Sequence, residues 1–253
     1  NFNALVDPRF PVRSGVANSA ILKSYLALLC QGKSDFDAIE AFRSDAFFKR
    51  SLRLDAVPSS PTLRQRMNAH ALSWFDLASV INEALLSCRI QGQCIDFGRL
   101  PCGYTPLDID TFAMDNSGTK KALVGRTYAG VDGYCPIVSY LGTAGFCLEL
   151  ALRPGTQHSA SETEYNIERV LPLAAKLTAS RIGGQAATPL LFRADSGFDS
   201  AKIMRTMQAC NQPGLAQVDW LIKWNPRTSD RAEICAQLDA DPTITWAHPR
   251  QGK

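Results

Sequence analysis

Between residues 104 and 224, short apolar runs and longer amphipathic ones follow one another in an order that limits the fold more than anything else in the chain. "TPLDIDTF", "YCPIVSYLG" and "GFCLELALR" are strand-length runs bounded by turn signals, with "GTAG" as the hairpin between the last two. "ETEYNIERVLPLAAKLTAS" has helical periodicity; Ser159 and Glu162 spell an S-x-x-E capping box before it, and Gly183 and Gly184 stop it. "PLLFRAD" is a fourth strand, residues 199 to 210 a second helix, and "VDWLIKW" a fifth strand. The order is βββαβαβ, an α/β domain with a mixed sheet.

That order constrains where side chains can meet. If the first three strands form an antiparallel meander and the crossover helix returns the fourth beside the first, strands one, three and four point the same way. Their C-terminal ends then share an edge, where Asp110, Arg153 and Asp195 stand. Two ionised carboxylates a few ångströms apart repel and need a shared proton or a cation. Hard divalent ions such as Mg²⁺ or Mn²⁺ take oxygen ligands, and a metal pair suits phosphoryl transfer. The plainer reading is that Asp195, or Asp199 in "RADSGFDS", starts a turn before the next helix. Asp108 lies two residues from Asp110, hence on the same strand face, so that one would bind metal while the other supports it.

Residues 14 to 88 read as helical. Apolar positions from Val16 to Leu29 crowd one helix, which Gly32 would end. Ser34 is expected to cap a second helix, with Phe36, Ile39 and Phe42 inward. Ser60 and Pro61 would open a long run to Cys88. This gives a helical region over residues 1–95, followed by a core over 104–253 in which an inserted region would begin near 226. Arg64 and Arg66 near a helix start are candidate DNA contacts, or simply a solvated charged face.

Composition excludes little but places the chain. Its 253 residues are 45% hydrophobic and 20% charged, with a net charge of +3, so a polyanion would have to be held by local patches. The eight cysteines contain no C-x-x-C pair, and Cys135 and Cys147 sit in apolar runs, which fits reduced thiols in a cytoplasm. "AILKSYLALLC" is too short to span a membrane, and no secretory signal stands at the start. A chain that starts without Met and stops at "WAHPRQGK" is expected to be a piece of a longer one.

"LDIDTFAMDNSGTKK", "GRTYAGVDGYCPIVSYLG", "LRPGTQHS" and "FRADSGFDS" together resemble the core of bacterial insertion-sequence transposases with a group 1 DDE domain. "SSPTLRQRMN" is similar to the helical segment before that core. The resemblance implies an RNase H-like fold, Mg²⁺ or Mn²⁺ ions in a pair, and cutting and joining of double-stranded transposon and target DNA by a nucleoid-associated homo-oligomer. It implies Asp110 as the first catalytic acid and Asp195 as the second. The family's third acid is a Glu beyond an inserted region, expected past Lys253, so the chain alone is expected to be inactive. Glu233, the only Glu after Asp195, is read as a solvated helix residue.

The remaining motif residues stay open at this stage. Lys120 and Lys121 in "DNSGTKK" would hold phosphates, or the segment is a turn built by Asn116, Ser117 and Gly118. Arg153 and His158 flank a loop feeding a helix N-terminus, a place suited to an anion. Arg193 would contact DNA or pair with an acid beside it. A metal-dependent nuclease without joining activity and a catalytically silent DNA-binding remnant are the competing functions.

Overall fold

A computed structural model of the chain describes residues 1–90, 93–179, 188–211 and 217–245, with backbone alone at 89, 90, 93 and 94. Gly183 and Gly184, the expected helix stop, lie outside them. The chain forms two compact units, Asn1–Ile95 and Asp96–Lys253.

The first unit is helical, with α1 (Phe2–Val6), α2 (Asn18–Cys30), α3 (Ala46–Ser51), α4 (Ser60–Ala69) and α5 (Ala71–Leu86). Gly32 ends α2 as expected. Its φ is +70°, and Lys33 N–H reaches back to the Leu28 carbonyl at 2.9 Å, satisfying an orphan acceptor of the last turn. Ile21 and Leu28 on α2 pack with Ile39, Phe48, Leu54, Val57 and Leu63 into one buried cluster.

Local details differ from the sequence expectation. Residues Phe36–Phe42 form a 3₁₀ helix capped by Asp35, whose carboxylate accepts from Asp37 N–H, so Ser34 has no capping role. The N-cap of α4 is Ser59, one residue earlier than expected. The run to Cys88 breaks at His70, where ψ is 23° and the ring leans on Phe10 and Trp74 at 5.1 and 5.4 Å. That aromatic contact accompanies two helices in place of one.

The second unit is built on five strands: β1 (Thr105–Thr111), β2 (Ile137–Leu141), β3 (Phe146–Ala151), β4 (Leu190–Ala194) and β5 (Val218–Ile222). Their order across the sheet is β5-β4-β1-β2-β3. β1, β2 and β3 are an antiparallel meander, and β4 and β5 are added parallel to β1. Helices α6 (Thr163–Ala179) and α7 (Ala201–Cys210) make the two crossovers. This is the mixed sheet that the order βββαβαβ called for, arranged as in the RNase H-like fold that the family resemblance implies.

One face of the sheet is the core. Leu107, Ile109, Leu141 and Phe192 are buried there, as are Ile167, Val170, Leu171 and Ala174 along α6. Polar anchors fix α6 to that face: Ser139 Oγ donates to Asn166 at 2.9 Å, and Arg169 Nε donates to the buried Glu149 at 3.1 Å. Period-2 alternation therefore sends Asp108 and Asp110 to the opposite face.

The expected capping box does not form. Glu162 has φ +57° and precedes the helix; Ser159 spends its hydroxyl on Thr111 at 2.7 Å and its carbonyl on the Thr163 hydroxyl at 2.5 Å. Cys135 is buried as expected, but Cys147 is exposed, because it stands opposite Tyr140 beside a bulge. No described helix is long and apolar enough to cross a membrane.

Candidate active site

Strand register brings the two acids together. β1 and β4 pair in parallel with Asp108 opposite Arg193, and continuing that ladder by two residues sets Asp110 opposite Asp195. On the far side of β4, Leu221 of β5 pairs with Arg193, and Lys223 N–H donates to the Ala194 carbonyl at 3.2 Å. The same ladder thus sets Lys223 beside Asp195. These residues line an open cavity of about 500 Å³ at the C-terminal ends of the three parallel strands. Such an edge is where open α/β sheets place ligands.

Each carboxylate is held by its own backbone. Asp110 Oδ1 accepts from Thr111 N–H at 2.7 Å. Asp195 Oδ1 accepts from Gly197 N–H at 2.8 Å and caps a short 3₁₀ turn, Ser196–Phe198. The turn role expected of a strand-end acid is therefore present at Asp195, and it uses only one of the two oxygens. Desolvation raises the pKa of Asp110, the Thr111 N–H opposes that, and the charge of Asp195 raises it further. Two carboxylates in mutual repulsion, with oxygens to spare and a cavity in front, are a donor set that fits a hard divalent cation. Among the described residues, no group of three or more His, Cys, Asp or Glu side chains gathers as a metal cluster.

Asp108 has a different partner. Arg193 Nε and Nη2 donate to its two oxygens at 2.6 and 2.7 Å, a bidentate pair one rung below the two acids. The hydrogen bond to Asp108, chiefly, raises the Arg193 pKa. Asp108 is thereby engaged by Arg193, which fits it to the supporting place in the Asp108 and Asp110 pair. Arg193 thus takes an ion-pairing role beside Asp195, with Asp108 as its partner.

The loop after β3 departs from the anion-binding expectation. Arg153 is buried, and its Nη atoms donate to the carbonyls of Gln157, His158 and Ser159 at 3.4, 2.7 and 3.4 Å. Burial lowers its pKa. Its guanidinium shapes the loop that delivers Ser159 to Thr111, which leaves it no open face for a phosphate. His158 is exposed and accepts from Ala160 N–H at 3.2 Å through Nδ1.

Lys120 and Lys121 are exposed, and Lys121 Nζ donates to Asn116 at 3.2 Å, closing the very turn that was the alternative reading. Arg64 and Arg66 belong to the other unit. Arg64 lies over the Phe36 ring and pairs with Asp37 at 3.6 Å, and Arg66 donates to Asn18 at 3.3 Å. Glu233 sits on α8 (Arg231–Asp239), which buries no residue, and it does not line the cavity.

Sequence reasoning missed three supports. Lys223 was legible as the residue two beyond Leu221 on the same strand face. Asp199 accepts from Asn225 N–H at 2.8 Å and ties the segment after β5 to the turn after β4. Tyr128, on a hairpin inserted between β1 and β2, donates its hydroxyl to the Thr111 carbonyl at 3.2 Å. The last two pairs are distant in sequence and leave no local signal.

Residues 2–225 match the family described as transposase DDE domain, group 1. The chain belongs to that family. Members of this transposase family generally use divalent metal ions, in keeping with the donor set at Asp110 and Asp195. Among solved structures the chain is similar to a piggyBac transposase synaptic complex with hairpin DNA, with TM-score 0.37 and 11% identity over 96% of this chain and 50% of that one. It is also similar to a pre-cleavage Mos1 transpososome, with TM-score 0.28 and 10% identity over 93% of this chain and 78% of that one. The DDE-domain chain thus spans about half the length of the piggyBac chain it matches. No curated protein matches it.

Proposed function

We propose that this chain carries the core of a DNA transposase that cleaves phosphodiesters at the ends of an insertion element and joins the freed ends to target DNA. The observation that carries the reading is the convergence of Asp110 and Asp195 on one sheet edge within a DDE-family chain.

Asp110 and Asp195 are the residues that would hold Mg²⁺ or Mn²⁺, as one ion or two. A bound divalent metal supplies Lewis-acid polarisation of a phosphoryl oxygen and a more acidic water. The protein's own groups do the rest. Thr111 N–H and Gly197 N–H orient the two carboxylates, and the Asp108–Arg193 pair below them keeps β1 and β4 in register. Lys223, exposed in the cavity, offers a cation to a phosphate oxygen, and Lys120 and Lys121 offer two more outside it.

Hydrolysis would break the bond between phosphorus and the 3′ oxygen, leaving a 3′ hydroxyl and a 5′ phosphate. That hydroxyl would then attack a target phosphodiester, its 3′ oxygen bonding to the target phosphorus as the target strand's own 3′ oxygen leaves and takes up a proton, so that one diester replaces another. Arg64 and Arg66, in the helical unit, are proposed DNA contacts, and a homo-oligomer assembled on DNA is the proposed working form.

The test is product analysis on end-labelled duplexes carrying element ends, with Mn²⁺, using the full-length protein. Cut and joined products from the parent, both lost in Asp110→Asn and Asp195→Asn, are the expected result. Cutting without joining would make the protein a nuclease, and equal activity in parent and variants would remove the site assignment.

A further inference from the structure

The hairpin inserted between β1 and β2 ends in a tightly closed tip. Gly125–Arg126 and Asp132–Tyr134 pair antiparallel, and Arg126 meets Asp132 at 3.5 Å. Thr127, buried at the base of the tip, sends both its N–H and its hydroxyl to the Val131 carbonyl, at 2.9 and 2.8 Å. Gly130, with φ +76°, returns its N–H to the Thr127 carbonyl at 3.0 Å. Five residues are thus cross-linked to themselves, and their one aromatic side chain is Tyr128.

Tyr128 combines tether and exposure. Its hydroxyl is bonded to the carbonyl of Thr111, the residue after Asp110, yet the side chain leaves the residue 70% exposed. Phe112, next along the chain, is also exposed. A single exposed aromatic residue is ordinary. Here, however, a hydrogen bond fixes the polar end of the ring one residue from a candidate catalytic acid, on a tip with little freedom to move.

We propose that Tyr128 is a stacking platform for an unpaired base of the DNA next to the phosphodiester served by Asp110 and Asp195. The proposal rests on the DNA reading above and adds a nucleotide subsite to it. An aromatic face accepts any base, but a base inside a duplex is already stacked on both sides, so the platform selects an unpaired or extruded nucleotide. Stacking of this kind contributes roughly tenfold to affinity.

The experiment compares a blunt duplex with the same duplex bearing a single-stranded extension that contains 2-aminopurine, read by anisotropy and by quenching of the probe. Tyr128→Leu and Tyr128→Ala are expected to bind the extended duplex about tenfold more weakly, to bind the blunt one as the parent does, and to lose the quenching. Tyr128→Phe keeps the ring and should keep the quenching. The inference is overturned if Tyr128→Leu matches the parent on the extended duplex, or if both duplexes lose affinity equally. A parent chain that binds the blunt duplex and gains nothing from the extension overturns the stacking inference alone. A parent that binds neither duplex overturns the DNA reading with it.

Discussion

Arg193 holds both oxygens of Asp108 across the β1–β4 ladder, one rung below the place where Asp110 faces Asp195. Three acids and one guanidinium therefore divide into a neutralised pair and an uncompensated one. In the neutralised pair, each side chain is about one-third exposed, so solvent screening keeps its contribution to stability at about 1 kcal/mol or less. Its larger effect is electrostatic, because it removes Asp108 from competition for a cation.

Metal affinity should follow that division. With Asp110 and Asp195 as the proposed ligands, Asp110→Asn and Asp195→Asn should each weaken Mn²⁺ binding beyond the ~10–100-fold range of an outer-shell loss. Asp108→Asn should fall within or below that range. Calorimetric titration checks the ranking, and an Asp108→Asn loss as large as that of Asp110→Asn would put Asp108 among the ligands.

Gly155 sits where the loop after β3 crosses the small hairpin sheet, and a Cβ there would run into the carbonyl oxygens of Gly133 and Gly125. Both obstacles are backbone and cannot rotate away. Gly155→Ala should cost about 1–3 kcal/mol, visible as a lower Tm. A Tm equal to that of the parent would mean the crossing is looser than described.

The sheet and its edge were legible in the sequence because period-2 alternation and crossover handedness are local rules with global consequences. They placed Asp110 and Asp195 together from residues far apart in the chain. They failed where a side chain's partner is chosen by packing. Arg153 read as flanking an anion site and Arg193 as a DNA contact or an ion-pair partner, and only the fold shows that one is spent on the carbonyls of residues 157–159 and the other on Asp108. The box at Ser159 failed for the same reason: a tertiary partner, Thr111, took the hydroxyl that a local motif would have used.

Tyr104 donates to Asp219 at 2.5 Å, linking the start of β1 to β5, and that bond, followed by desolvation and the Asp219 charge, raises the phenol pKa. A raised folded-state pKa contributes stability that is complete below the unfolded value of about 10 and is lost as pH rises through the folded one. Tyr104→Phe should lower Tm at neutral pH, with the gap closing in alkaline solution. A gap independent of pH, measured by thermal melting across that range, would show that the hydroxyl is not the source.

Lys120, Lys121 and Lys223 are exposed, and Lys223 lines the cavity at Asp110 and Asp195. If each meets a phosphate, replacing one by Ala should lower the slope of log affinity against log salt by about 0.9 and weaken all sequences alike. Binding isotherms over a salt series give the slope directly. An unchanged slope for the Lys120→Ala, Lys121→Ala double variant would leave that segment as the Asn116 turn alone.

Glu233 is the one Glu that follows Asp195 in the chain, so a third acid of the Glu type downstream of Asp195 within these residues would have to be it. Its surroundings argue otherwise. It lies in the first turn of α8, where Asp230 caps the helix and accepts from Glu233 N–H at 3.3 Å, and Gln237 donates to its carboxylate at 3.3 Å. No residue of that helix is buried, and nothing there desolvates or orients the carboxylate toward a cation. Glu233→Gln should therefore leave Mn²⁺ affinity within error of the parent, against the large losses at Asp110 and Asp195. A calorimetric loss matching theirs would mean that α8 swings to the sheet edge when metal binds, and Glu233 would then be the third acid.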